Sequence, residues 1–254
     1  MVKIAVLDKP EELTDEYVEI KTKEFIESGK EVWQERFIKN RLMEMSNNKC
    51  CYCECKIDIE SNWMTVDHFH PKSKYPKEVL LWENLLPACP RCNNTQKRNH
   101  DTINEPIINP TRDDPREHFY FYNYEYQQKP GSMIGGLSCD VLGLNNTKIY
   151  NERVIMAHNA ISVFKTLFYK AEELCEQAVK TASAIARLRN GIICLLEEAQ
   201  PSSPYSAAVA NALLEHPDYL ELKRHLENLN LWTGAIEDLH NEAARHLIKS
   251  KRDE

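Results

Sequence analysis

Two cysteine pairs and the segment between them hold the residues best suited to chemistry. Cys50-x-x-Cys53 and Cys89-x-x-Cys92 are separated by 35 residues. A CxxC turn places two sulfurs on one side of an ion. Zinc favours four thiolates in a tetrahedron at about 2.3 Å, so two such turns close its shell. A closed four-cysteine shell is structural, because it keeps no position open for a substrate. Cys51 and Cys55 lie inside and just after the first pair. Within that cluster only Cys50 and Cys53 have CxxC spacing, which makes Cys50, Cys53, Cys89 and Cys92 the expected zinc ligands.

The spacer is longer than a simple zinc ribbon needs, so it carries an insert. The insert contains Asp67-His68-Phe69-His70-Pro71 and then Trp82-Glu83-Asn84-Leu85, and the second pair leads into Asn93-Asn94-Thr95-Gln96-Lys97. Phosphodiester hydrolysis needs an activated water, charge neutralisation at phosphorus and a stabilised leaving oxygen. An imidazole can take the proton of a water at neutral pH. A divalent cation can neutralise the developing charge. Mg²⁺ prefers oxygen ligands and keeps several waters, so few protein ligands suffice, and Asp67 and Asn93 both offer oxygens.

The order D-H-x-x-P, then N-L, then C-x-x-C-N-x-x-x-K resembles the HNH nuclease motif on a ββα-metal core, in the branch whose CxxC knuckles clamp both ends of that core. His68, Asn84 and Asn93 stand at the H, N and third positions of the motif, with Asn93 where a second His is commoner. The resemblance implies His68 as general base, Asp67 and Asn93 as holders of a catalytic Mg²⁺ or Mn²⁺, and Asn84 as the residue that positions the His68 loop. A wider set of matches runs through Cys50-Cys51-Tyr52-Cys53-Glu54, the stretch 67–73, Trp82 to Leu86, the stretch 107–118 and Pro204-Tyr205-Ser206-Ala207. It is similar to the PtuB type, the HNH subunit family of the Septu anti-phage system, and to its retron-associated relatives. That likeness implies cleavage of nucleic acid, double-stranded DNA first, under the control of an ATPase partner of the PtuA type. Two other readings stay open: an RNase on the same scaffold, and a catalytically inactive zinc-stapled interaction module. The second fits less well, because such a module needs only the cysteines and not Asp67, His68 and Asn93.

Weaker candidates surround this set. His70 shares a face with His68 if the strand continues, although Pro71 points to its end. Lys97 lies four residues beyond Asn93 on one helical face, and with Lys72 and His70 it is an expected nucleic-acid contact. His100 is ambiguous. The six histidines from His118 onward have no chemical company and read as surface or core residues. Trp63 and Trp82 read as packing residues of the small core.

The elements that position these residues follow from periodicity and breakers. A helix is expected over 11–28 with a cap near Thr14, and another over 31–45, separated by Gly29 and ended by Ser46-Asn47-Asn48. Lys3 to Leu7 reads as a strand or extended entry, 63–66 as a short strand before Asp67, and Phe119 to Tyr122 as a strand before a turn at Pro130-Gly131. A helical region starts near Asn146. Its longest pattern, 152–198, has a possible break at Gly191, and two shorter helices follow Pro201-Ser202-Ser203-Pro204. The expected class is α+β, mainly α: a helical segment at 1–49, a zinc-stapled nuclease core at 50–110, an irregular connection at 111–145 and a helical region at 146–254.

Composition sets the outer bounds. Apolar residues at 42% and charged residues at 28% are ordinary for a soluble globular protein, and seven glycines in 254 residues argue against a Gly-rich barrel or sandwich. Nine cysteines, an odd number with no secretory signal, argue against a disulfide framework and for a reducing, cytoplasmic setting. No apolar run approaches the roughly 20 residues of a membrane span. The net charge is -7, yet 70–100 carries six Lys and Arg against two Glu, a local +4. A basic patch on an acidic body suits nucleic acid at one site and proteins elsewhere.

Overall fold

Thr14 accepts the Tyr17 N–H and starts α1, Asp15–Ser28, and Gly29 ends it in the left-handed region at φ 74°. The second helix is shorter than its pattern implied: α2 is Arg36–Met45, with Ile38, Leu42 and Met45 buried. At 100° per residue, Val32 would fall about 80° or more and Trp33 about 120° or more from the residues of that stripe. The chain stays non-helical there, and both side chains turn inward. Asn47 and Asn48 follow at positive φ, which asparagine tolerates. The entry segment 3–7 forms no strand.

The computed structural model describes residues 1–57 and 63–251, so 58–62 of the expected nuclease core and the last three residues lie outside the described residues. The chain divides into two units, one of 1–119 with 126–146 and one of 120–125 with 147–254.

In the first unit, β1 (Thr65–His68) pairs antiparallel with β2 (Leu85–Ala88), in a register that sets Thr65 opposite Ala88 and His68 opposite Leu85. The strand thus includes Asp67 and His68 instead of ending before them. Trp63, expected to pack, is 59% exposed. Trp82 is buried, and its indole N–H donates to the Leu7 carbonyl at 2.7 Å. A π-helical segment, Arg91–Lys97, carries Cys92 of the second cysteine pair and packs against β1 and against α4, Met133–Leu142. Gly143 ends α4 at φ 56°, where a Cβ would come within 2.7 Å of the Gln96 side chain. Between these elements run α3 (Pro115–His118), β3 (Phe119–Tyr122) and β4 (Glu125–Gln128), of which residues 120–125 count with the second unit.

In the second unit, the long 152–198 pattern resolves into α5 (Thr147–Glu176) and α6 (Ala182–Glu197). Thr181 caps α6 by accepting the Ala184 N–H. Gly191 does not break the helix. A Cβ there would sit 2.6 Å from Leu167 Cδ2, so the glycine serves the close approach of α5 and α6. Three helices, not two, complete the unit: α7 (Ser206–Leu214), α8 (Tyr219–Asn228) and α9 (Gly234–Arg245). They separate at Pro217 and at Asn230, which takes φ 56°. Helix α7 is buried along nearly its whole length, beneath a core that includes Phe164, Leu188, Ile192, Leu213, Leu226 and Ile236. The 120–125 segment belongs here: Phe121 exchanges backbone hydrogen bonds with Lys249 and Lys251, and Arg153 donates to the Tyr124 carbonyl at 2.6 Å. No described helix is long and apolar enough to cross a membrane. The architecture is mainly α, with a small ββα core.

Candidate active site and metal centre

The four cysteines of the two knuckles converge, with their sulfurs all within 4.8 Å of one another and all buried. A tetrahedron of Zn–S bonds at about 2.3 Å has edges of about 3.8 Å. The Cys53 and Cys89 sulfurs stand 3.8 Å apart, so the cluster has the dimension the ion needs. Burial raises the Cys50 thiol, but hydrogen bonds from the neighbouring cysteines outweigh it and hold Cys50 well below its usual value. Cys51 and Cys55 are not among these four, although the Cys55 thiol lies within hydrogen-bonding reach of Cys50, Cys53 and Cys89. Cys51 donates its backbone N–H to the Pro87 carbonyl, and the Cys55 carbonyl accepts the Cys50 N–H, which ties the first knuckle to β2 and closes it on itself.

The strand β1 carries Asp67 and His68 into the interior, 1% and 4% exposed. His68 Nε2 lies 2.9 Å from the Val79 carbonyl oxygen. A carbonyl only accepts, so Nε2 carries the proton and Nδ1 keeps a lone pair. Burial pulls the imidazole down to about 4, and the Lys72 ammonium adds to the shift. His68 is therefore neutral at physiological pH. Trp33 packs against its ring in a T-shaped contact, and Lys72 Nζ lies over the Trp33 ring at 4.7 Å from its centroid.

Asn84, in the turn before β2, fixes the loop after His68. Its Oδ1 accepts the His70 N–H at 2.7 Å, and its Nδ2 donates to the His70 and Glu78 carbonyls at 3.2 Å each. Its own carbonyl accepts the Phe69 N–H. Asn93, directly after Cys92, donates Nδ2 to Thr65 Oγ1 at 3.0 Å and to the Val66 carbonyl at 3.2 Å. The amide nitrogen is thus committed to β1 beside Asp67, and the carbonyl oxygen is the atom left to offer a cation. The Asp67 carboxylate and the Asn93 carbonyl are hard oxygen donors of the kind Mg²⁺ and Mn²⁺ take.

Two residues depart from expectation. Lys97, expected at phosphate, has a side chain with no solvent exposure. Its Nζ donates to Asp67 Oδ1 at 3.0 Å and to the His68 carbonyl at 2.8 Å. The π-helical winding of 91–97 delivers it inward, so Lys97 neutralises Asp67 instead of meeting a nucleic acid. His70 does not continue the strand face. Its Nδ1 pairs with Glu78 Oε2 at 2.6 Å beside Tyr75. His100 is held by the Glu105 carbonyl at 2.8 Å.

Three contributors were not singled out from the sequence. Tyr52, between the cysteines of the first knuckle, is fully buried and donates its phenol to Asp67 Oδ2 at 2.5 Å. A large aromatic inside a CxxC turn was the signal available for it. Trp33 and the Val79 carbonyl had no such signal, because only the folded chain brings them to His68.

Comparison with known proteins agrees with this geometry. A model described as HNH endonuclease matches residues 50–99. The Septu protein PtuB of Bacillus thuringiensis is 38% identical over 249 residues, spanning 98% of this chain and 95% of that protein. The Septu protein PtuB of Bacillus mycoides (strain KBAB4) is 30% identical over 240 residues, spanning 78% of this chain and 79% of that protein.

Proposed function

The chain belongs to the PtuB family of Septu proteins, and on that premise we propose that it is the HNH endonuclease subunit of an anti-phage defence system, cleaving double-stranded DNA under the control of an ATPase of the PtuA type. The observation that carries the reading is the His68–Val79 hydrogen bond, which fixes the ring and leaves Nδ1 as the basic atom. A neutral imidazole held by a backbone carbonyl is ready to accept the proton of an attacking water. Asp67 and Asn93 would hold Mg²⁺ or Mn²⁺, which neutralises charge on the scissile phosphate when bound. Asn84 keeps the chain after His68 in one conformation, so the base does not drift from its carbonyl partner. Cys50, Cys53, Cys89 and Cys92 would hold a structural Zn²⁺.

Phosphate contact falls to the cations that remain near the surface of the ββα core. Lys72, Lys77 and Arg98 are the basic residues of the 70–100 stretch left for this, with no described carboxylate paired to them, whereas Arg91 has Nε and Nη2 buried, Lys74 is bound to Asp101 at 3.0 Å and Lys97 to Asp67. So few free charges on a chain of net charge -7 support weak, salt-sensitive DNA binding by the chain alone and stronger binding in a complex.

The test is cleavage of plasmid DNA, and of RNA in parallel, by the full chain with and without its ATPase. His68→Ala should lower DNA cleavage by about 10²-fold or more, with zinc content unchanged and the chain still folded. Cleavage near the wild-type rate in that variant would move the base elsewhere, and cleavage of RNA alone would replace the substrate.

A further inference from the structure

The Asp67 carboxylate is gripped at both oxygens. Lys97 Nζ lies 3.0 Å from Oδ1 and the Tyr52 hydroxyl 2.5 Å from Oδ2. The two partners come from opposite ends of the zinc-bearing frame. Tyr52 sits between Cys51 and Cys53 in the first knuckle, and Lys97 closes the helix Arg91–Lys97 that carries Cys92 of the second. A carboxylate with one fixed oxygen still turns about its Cβ–Cγ bond, whereas one with both oxygens fixed has a single plane. Lys97 also binds the His68 carbonyl, so it has a second anchor on the strand itself. Tyr52 has no such divided role, and its ring is packed in the core with no exposed surface.

We propose that Tyr52 is a positioning residue for the nuclease reaction: carried by the zinc knuckle, its hydroxyl orients the Asp67 carboxylate toward the catalytic cation. The proposal rests on the reading that Asp67 is a ligand of that cation. It gives the zinc knuckle a part beyond holding the fold. Zinc orders the Cys50–Cys53 turn, the turn fixes the phenol, and the phenol fixes the carboxylate. Partners that hydrogen-bond a metal ligand in this way set its orientation, and their loss lowers metal affinity or activity by about 10–100-fold.

The experiment is Mn²⁺ binding to the full chain, read by the EPR signal of the free ion, for wild type, Tyr52→Phe and Asp67→Ala, with zinc content measured on the same samples. Tyr52→Phe keeps the ring and loses only the donor. Expected is one zinc per chain, a 10–100-fold weaker Mn²⁺ affinity, and a matching rise in the Mn²⁺ concentration for half-maximal cleavage, with the rate at saturating Mn²⁺ changed much less. A purely structural residue would not split affinity from saturated rate. If Asp67→Ala abolishes Mn²⁺ binding while Tyr52→Phe binds like wild type, the role of Tyr52 is overturned and the ligand reading stands. If Asp67→Ala itself binds Mn²⁺ like wild type, the ligand reading falls and the proposal with it. Should Tyr52→Phe not fold, 3-fluorotyrosine at position 52 keeps ring and hydroxyl but strengthens the donor. An altered Mn²⁺ affinity then supports the proposal, and an unchanged one overturns it.

Discussion

Trp33 and His68 meet edge to face, with ring centroids 4.8 Å apart and planes at 86°. The indole comes from the non-helical stretch between α1 and α2, the part of the chain whose helical pattern did not persist. It packs against the imidazole, whose burial keeps His68 neutral.

Shrinking Trp33 should therefore be felt at His68. In Trp33→Leu the ring regains contact with water, and its midpoint should rise from about 4 toward the ordinary histidine value. Histidine ring-proton shifts followed by NMR across pH give the measurement. The same change should destabilise the fold by about 1–3 kcal/mol. A midpoint unmoved by the substitution would mean that the other walls of the site do the desolvating.

The zinc assignment predicts about one zinc per chain and a severe loss of stability in Cys89→Ser, because metal binding at such a site is part of the folding free energy. Metal analysis of purified protein and a thermal melt decide it. Folded, soluble wild-type protein without zinc would leave the four-thiol cluster with no ion to hold.

The two metals should separate under chelation. A thiolate shell is closed and soft, whereas the Asp67 and Asn93 oxygens offer a hard, exchangeable site. Brief EDTA treatment should stop cleavage, and added Mg²⁺ or Mn²⁺ should restore it while zinc stays bound. Asn93→Ala should remove that rescue and leave the chain folded. Full Mg²⁺-dependent activity in this variant would show that another group takes the third motif position.

Asp101 gives a pH signature in stability. Burial raises its carboxyl, but hydrogen bonds from Lys74, Tyr75 and Asn104 outweigh that and hold it well below the usual carboxylate range. A carboxyl lowered in the folded chain stabilises fully above its unfolded value, about 3.9, and that stabilisation fades as pH falls toward the folded value. Asp101→Asn should thus have a lower urea midpoint than wild type at pH 7, and the gap should narrow at pH 3. An equal gap at both pH values would remove the carboxylate from the account.

The parts that were legible in the sequence were those with a local cause. Thr14 and Gly29 marked the ends of α1, the CxxC spacings marked the four sulfurs, and the D-H, N and C-N pattern marked the small core. Where packing between distant segments decides, the sequence misled. Lys97 lies at helical spacing from Asn93 and reads as a nucleic-acid contact. Only the π-helical winding and the buried Asp67 reveal it as an interior cation. Gly191 reads as a helix breaker until Leu167 is seen to occupy the space of its missing Cβ. Trp33 reads as part of an amphipathic helix, and nothing local announces that it will face an imidazole 35 residues away in the chain.

The division of the chain sets a practical limit on taking it apart. The backbone passes from one unit to the other after residue 119, returns after 125 and leaves again after 146. A fragment ending at 146 would contain every predicted ligand and the base, yet it would strand 120–125 without Lys249, Lys251 and Arg153. Phe121, buried in the intact chain, would face water. Such a minimal nuclease should come out aggregated or bind hydrophobic dyes, and supplying 147–254 as a second polypeptide should recover solubility. Modular engineering by a single cut is closed to this protein, and an exchange of its helical unit has to carry the six-residue segment along with it.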